Sequence, residues 1–497
     1  MLILLAILFP AIAGVILYIR NVHTQKEGHA QYAVCMLITD ALAVLAAVYS
    51  GPVTLFRLSH TVTVSFSFDR IGIWFLAAVL FLYTCTLFYA FVYMRIEERD
   101  SSFFAFYFIS LGALIAVCSA DNLVTIYFAF EITTLSTVPL VLHEQTKSAV
   151  AAGLKYLFYS IGGALLGLLG VFFVYYHAAE DVSFTPGGVL DPAKTAGMEP
   201  VMYVIFFLAI VGYATKAGMY PMHGWLPTAH PIAPAPASAL LSGIIAKSGV
   251  LVIIRFVFYS VGADFLRGTW VQTAWMCLAV LTIFMGSMMA FREPVLKKRL
   301  AYSTISQISY VLLGLSFLTD DGLGGSLLQV MAHASAKACL FLCAGAFIYR
   351  YGIRDVHQLR GIGRTMPVVL WCLTIAAMSL VGIPPVGGFT AKWHLALAAL
   401  NSGTGVFSVL APVILLVSAL LTAGYLLPIM IDGFFPGEEE AAVDVEGDVE
   451  LDIDNDEHLS IDATPRMMWI PLICLCAGSL AVGLFGNTIL SFFGGIV

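Results

Sequence analysis

The chain has 497 residues, 60% of them hydrophobic and 11% charged, with a mean hydropathy of +0.92. A soluble globular domain carries roughly 25% charged residues, so this chain cannot clothe itself in polar surface and must use lipid as its solvent. The formal net charge of −7 comes from one segment, Glu438 to Asp462, which holds twelve carboxylates and no Lys or Arg, and no basic patch marks a nucleic-acid partner.

In hydrocarbon every backbone N–H and C=O needs an internal partner, which leaves helices or closed barrels. The apolar runs here are about 18–25 residues long, the length of a helical span, whereas a barrel shows alternating stretches of about 10 residues. The sequence therefore predicts an all-α polytopic membrane protein. Its nine cysteines are scattered, without a Cys-x-x-Cys pair, so neither zinc nor iron–sulfur ligation is expected.

In chain order the pattern predicts 14 spans, at residues 2–19, 30–50, 71–94, 103–120, 122–142, 154–177, 201–221, 235–259, 271–291, 300–318, 325–349, 367–383 continuing as 388–400, 407–430 and 467–490. The first lacks a basic n-region and reads as a retained span. Span 7 breaks at Pro221 and continues irregularly through HGWLPTAHPIAPAPAS, and span 12 breaks at GIPPVGG, Gly382 to Gly388. Proline removes a donor and clashes with the preceding turn, so both sites should be unwound or kinked. Two broken helices five spans apart suggest repeats: residues 1–99 hold spans 1–3, residues 100–260 a first repeat (spans 4–8), residues 261–431 a second (spans 9–13), residues 432–466 an acidic loop, and residues 467–497 span 14. An odd number of spans per repeat inverts the second relative to the first, a recurring plan in transporters.

Lys and Arg in the loops set the orientation. Odd-numbered loops hold fifteen (Arg20, Lys26, Arg95, Arg99, Lys147, Lys155, Arg292, Lys297, Lys298, Arg299, Arg350, Arg354, Arg360, Arg364, Arg466) and even-numbered loops four (Arg57, Arg70, Lys194, Arg267). The odd loops, with the acidic one, should face the cytoplasm and both termini the outside. The acidic loop reads as a solvated tether, since DIDNDEH lacks the glycine of a calcium loop.

Five bases remain for the spans: Lys216, Lys247, Arg255, Lys337 and Lys392. Arg255, near the outer end of its span, can snorkel. The other four join Glu131, midway along IYFAFEITTLSTVPLVL. Insertion scales charge about 2.5–3.5 kcal/mol for such a residue near a helix centre, so these side chains must face the interior, pair, or meet water. Lys216 and Lys392 sit beside the two breaks, where unwound backbone offers free carbonyls and room for water. His333 and Lys337, four apart, share a helix face; the alternative for His333 is a hydrogen-bonded core histidine. His223 and His230 flank the break in span 7 as candidates for a relay or gate, and Lys155, Ser306 and Gln307 are further candidates for gating or access. Asp40 in span 2 reads as a local helix contact. A Glu–Lys pair in low dielectric is strongly coupled, so Glu131, Lys216, Lys247, His333, Lys337 and Lys392 read as a chain able to pass protons.

Taken with their surroundings, these residues give the chain a resemblance to the antiporter-like membrane subunits shared by respiratory complex I, energy-converting membrane-bound hydrogenases and Mrp cation/proton antiporters. It runs from about residue 100 to 430 and is carried by KAGMYPMHGWLPTAHPIAPAPASALLSGIIAKSGVLVIIR, FEITTLSTVPLVL, KKRLAYSTISQISY, HASAKACLFLCAGA, DVHQLRGIGRTMP and GIPPVGGFTAKW. The resemblance implies a 14-helix core with a hydrated midplane axis. It makes Glu131 the span-5 acid paired with Lys216, Lys247 the connecting lysine, and Lys392 the span-12 terminal group. Lysine at that place departs from the M-type subunit of complex I, which carries glutamate, and the end after span 14 departs from the L-type, which continues into a lateral helix.

Two branches stay open: a proton- or sodium-pumping subunit of a redox-driven complex, or a subunit of an Mrp-type Na⁺/H⁺ antiporter. HASAKACLFLCAGA and GFTAKW are closer to hydrogenase and complex I relatives and favour the first. On either branch the chain itself binds no cofactor. Iron–sulfur clusters, flavin or a nickel–iron centre are expected only in partner subunits of a multi-subunit oxidoreductase, in a bacterial or archaeal cytoplasmic membrane. A stand-alone solute transporter is a poorer fit, because the polar residues are spaced ionisable groups and not a cluster sized for a solute.

Overall fold

The computed structural model describes residues 1–22, 26–59, 62–437 and 463–493, with backbone alone at 26 and 27. The acidic segment 438–462 lies outside the described residues. Leaving single-turn helices unlabelled, the chain runs α1 (Leu2–Ile19), α2 (Lys26–Tyr49), a hairpin of β1 (Val53–Arg57) and β2 (Thr63–Phe66), α3 (Arg70–Tyr93), α4 (Asp100–Ser119), α5 (Leu123–Val141), α6 (Lys147–His177), α7 (Glu199–Ala217), α8 (Leu226–Ile232) and α9 (Ala235–Val261). It continues with α10 (Trp270–Arg292), α11 (Leu296–Ser316), α12 (Asp320–Tyr351), α13 (Pro367–Val381), α14 (Gly387–Asn401), α15 (Val406–Phe434), α16 (Arg466–Leu484) and α17 (Gly486–Phe493).

Among the described residues twelve helices are long and apolar enough to cross a membrane, and the chain is an integral, all-α membrane protein. Two of the segments counted as spans from sequence fall short of that standard. α11 is too polar, with Ser303, Thr304, Ser306, Gln307 and Ser309 in one stretch, and α13 and α14 are 15 residues each. The hairpin is an addition that the hydropathy pattern does not reveal. It pairs Val53 with Phe66 and Arg57 with Thr63, and Asn122, which caps α5, holds it by donating to Thr63 O (3.0 Å) and Ser65 Oγ (2.9 Å).

Local chemistry fixes where the helices stop. α7 ends in Gly218, at φ +81°, whose N–H bonds Thr215 O, while the next N–H, of Met219, reaches back to Ala214 O. α13 ends the same way in Gly382, at φ +92°, with its N–H and that of Ile383 both on Met378 O. A left-handed glycine closes a helix because a side chain there would clash, and the prolines that follow bar the helix from resuming at once. The chain is helical again only at Leu226 and Gly387. α9 and α12 form the buried centre of the bundle, with α9 passing through two π turns, Leu241–Ile245 and Arg255–Val261.

Arg255 does not snorkel. It is buried, clamps the Asp69 carboxylate with both guanidinium arms (2.6 and 2.5 Å), and lies against the rings of Phe184 and Tyr259. Asp69 also caps α3 through Gly72 N, so one carboxylate ties α3 to α9. Burial alone would raise the Asp69 carboxyl, but the Arg255 charge and hydrogen bonds outweigh it and hold the group below its ordinary value. The Asp69→Asn variant strands a buried guanidinium and should lose about 3 kcal/mol of stability, read as a lower melting temperature in detergent. Because the folded-state value is depressed, the pair stabilises fully above about pH 4, the unfolded carboxylate value, and fades as pH falls through the lower folded value. A melting temperature in the variant equal to that of the parent at pH 7 would refute the clasp.

Candidate functional site

Lys216, the one lysine of α7 and two residues before the helix-closing Gly218, is buried. Its amine donates to Thr134 Oγ1 at 2.7 Å and to Phe130 O at 3.4 Å, and sits 4.3 Å from the centre of the Phe130 ring. Glu131, one residue on, is half-buried, and its Oε1 has no hydrogen-bond partner. The Lys216 amine of α7 therefore bonds the turn of α5 that carries Glu131, with no direct ion pair to Glu131 among the described residues, although the Glu131 charge still reaches Lys216. α9 comes close at this point: a side chain added to Gly249 would lie 3.1 Å from Lys216 Cβ.

Lys247 follows the first π turn of α9, and its amine folds back to donate to Ser242 O. The Ser242 hydroxyl shares a 2.7 Å hydrogen bond with Thr304 of α11, Thr304 donates to Leu300 O at 2.9 Å, and Lys337 of α12 donates to the same carbonyl at 2.9 Å. Two lysines distant in sequence are thus joined by one polar run. One turn from Lys337, His333 is buried, and neither ring nitrogen has a hydrogen-bond partner among the described residues. The charges of Lys247, Lys337 and Lys392 all reach it.

Gln329, a further turn along the same face, donates to Gln307 Oε1 at 3.2 Å, and Gln307 donates to Leu380 O at 3.1 Å. That carbonyl, at the end of α13, also accepts from Lys392, whose amine reaches Val381 O at 3.0 Å as well. The last carbonyls of a helix have no intrahelical partner, so the break in span 12 supplies the acceptors for its lysine. Ser306 belongs to a separate hydroxyl cluster with Ser287 (2.8 Å) and Ser418 (3.1 Å), where Tyr310 donates to Ser418 at 2.5 Å beneath the Lys392 amine.

Around the break in span 7, Lys155 of α6 donates to Thr228 Oγ1 at 2.9 Å. His223 is half-buried and stacks on Tyr220, and its Nδ1 has no partner. His230 is buried against Phe341, with both ring nitrogens unpartnered. Asp40 accepts from Thr84, a contact between α2 and α3 as expected. Residues passed over in the sequence are Thr134, Ser242 and Gln329. The spacing of Gln329, His333 and Lys337, each four apart, was the available signal for the last.

These features define a class: a polytopic membrane protein with a line of buried amines, imidazole and amide running through its interior. Residues 120–422 match the family described as NADH:quinone oxidoreductase/Mrp antiporter, TM, and the chain belongs to that family. It is 30% identical over 416 residues to NADH-quinone oxidoreductase subunit N of Desulforudis audaxviator, covering 83% of this chain and 80% of that one. It is 29% identical to a Na(+)/H(+) antiporter subunit of Alkalihalophilus pseudofirmus, covering 88% of each. With hydrogenase-4 component B of Escherichia coli it shares 32% over 63% of this chain and 48% of the other. In fold it is similar to a chain of the Mrp complex from Dietzia sp. DQ12-45-1b (TM-score 0.81, 24% identity, 99% and 96% covered) and of an archaeal membrane-bound sulfane sulfur reductase (TM-score 0.80, 20% identity, 99% and 96% covered).

Thr304→Val keeps the helix and the side-chain volume but removes the hydroxyl between Ser242 and Leu300. It should cost about 1 kcal/mol for the lost hydrogen bond, and more where Ser242 is left unpaired, seen as a small drop in melting temperature. An unchanged melting temperature would mean the run is dispensable to the fold.

Proposed function

We propose that the chain is a proton- or sodium-translocating membrane subunit of a redox-driven complex of the complex I or energy-converting hydrogenase type. Protons would move through Glu131, Lys216, Lys247, Lys337, His333 and Lys392, with Ser242, Thr304, Gln329 and Gln307 bridging them. The observation that carries this reading is a pair of hydrogen-bonded runs, from Lys247 to Lys337 and from Gln329 to Lys392, buried except at the half-buried Lys392. Such groups are costly in hydrocarbon, and a structural role for each separately gives no reason for their connection. Kinship with subunits of quinone oxidoreductases and a hydrogenase supports the redox-driven setting. On this reading residues 100–260 and 261–431 are inverted repeats, each with its own broken helix. Redox cofactors belong to partner subunits, and the odd loops face the cytoplasm of a bacterial or archaeal cell.

A second reading, as a subunit of an Mrp-type antiporter, is favoured by the match to the Alkalihalophilus antiporter protein across 88% of both chains. Both readings use the same axis. In proteoliposomes holding the complex with its native partners and a trapped pH dye, Glu131→Gln and Lys216→Ala should each lower proton movement by about 10²-fold or more while the complex still assembles. Normal movement in both variants would end the relay reading. A sodium gradient that drives proton movement without an electron donor would select the antiporter.

A further inference from the structure

Lys297 counts as a loop base in the sequence, yet the structure buries it at the start of α11. Its amine donates to Ala233 O at 2.5 Å and Pro231 O at 3.4 Å, the carbonyls at the closing end of the short helix α8. An ammonium has three N–H groups, and the third has no bond among the described residues. α8 is the irregular segment that follows the break in span 7. It carries His230, whose two ring nitrogens are buried and bare. The charges that reach His230 are those of Lys297, Lys337 and Lys247, and its ring stacks on Phe341, one helical turn from Lys337 on α12.

On the other side Lys297 faces the surface. The charges acting on it are those of Glu97, Arg354 and Glu144. Glu97 is half-buried, while Glu144 and Arg354 are exposed. Burial, then the neighbouring Glu144, hold the Glu97 carboxyl above the ordinary carboxylate range, against the pull of Lys297 and Arg354. A cleft with room for about one water opens beside Lys297 and Arg354, lined also by Pro231, Leu296 and Ile353 among others. Burial thus deepens in steps, from Glu144 at the surface through Glu97 and Lys297 to His230.

Resting on the relay reading above, we propose that Lys297 is the proton-loading residue of this axis, taking protons from the Glu97/Glu144 surface and delivering them through His230 to Lys337 and Lys247. In each transfer one O–H or N–H bond breaks as one N–H forms: a carboxyl of the Glu pair gives its proton to the neutral Lys297 amine, and the ammonium then gives it to the His230 imidazole. The same amine holds the end of α8 while charged. Giving up the proton leaves two N–H donors for those two carbonyls but removes the charge that strengthens both bonds, so the seat of α8 weakens at the moment His230 receives the proton. A lysine with a purely structural role would need only its charge and its donors, and arginine supplies both. Arginine, however, cannot lose its proton in a protein, so it tells the two roles apart.

The test uses the complex with its native partners in proteoliposomes, with a potassium diffusion potential as driver and a trapped pH dye as readout. Lys297→Arg should keep assembly and melting temperature and lower proton flux about tenfold or more. The double variant Glu97→Gln/Glu144→Gln, at the surface where folding is not at stake, should lower flux in the same direction. Parental flux in Lys297→Arg overturns the proposal. Should that variant fail to assemble, parental flux in the double glutamine variant overturns it instead. Glu131→Gln run alongside separates the two ideas: if it stops flux while Lys297→Arg does not, loading through Lys297 is wrong and the axis stands.

Discussion

A buried ammonium in an apolar interior must find oxygen, and this fold gives most of its amines that oxygen from backbone carbonyls. Lys392 takes the terminal carbonyls of α13, Lys247 a carbonyl in a π turn, Lys297 the closing carbonyls of α8, and Lys337 the second lone pair of Leu300 O. Lys216 alone relies mainly on a hydroxyl, with the Phe130 ring and carbonyl behind it. The irregularities of the helices are therefore not blemishes in the membrane domain. They seat Lys247, Lys297 and Lys392, while Lys216 and Lys337 find their acceptors on α5 and α11.

Much of this was legible in the sequence, for definite reasons. Hydropathy marks spans because lipid enforces length and apolarity, and proline with glycine marks breaks because the backbone cannot evade them. Charged residues inside apolar runs stand out for the same reason. What the sequence hid was pairing across helices. Nothing local to Arg255 announces Asp69, 186 residues away, so a clasp looked like a snorkelling end. Lys297 lay beside Lys298 and Arg299 and passed for a loop base, since depth in the bundle is a tertiary property. The hairpin before α3 was missed because strands of five and four residues leave little periodicity to read.

The relation between Glu131 and Lys216 shows where family-level expectation and local geometry part. An acid on α5 and an amine reaching the same turn from α7 invite a direct bond, yet the amine turns to Thr134 and Phe130, and the carboxylate keeps one buried oxygen unpartnered. Separation of this kind leaves the pair coupled through space without locking it. Opposite charges in contact in a low-dielectric interior hold each other tightly, and a locked pair releases protons poorly. On the proposed reading, the looser arrangement is the useful one.

The carbonyl of Leu300 serves two donors at once, the Thr304 hydroxyl and the Lys337 amine, and the same hydroxyl touches Ser242, on whose carbonyl Lys247 rests. A hydroxyl reorients by spinning about a single C–O bond, faster than any helix can shift. News that one lysine has changed its charge can therefore cross to the other as the swing of a small dipole, with α9, α11 and α12 standing still. The bundle is built to be rigid at its centre and talkative within it.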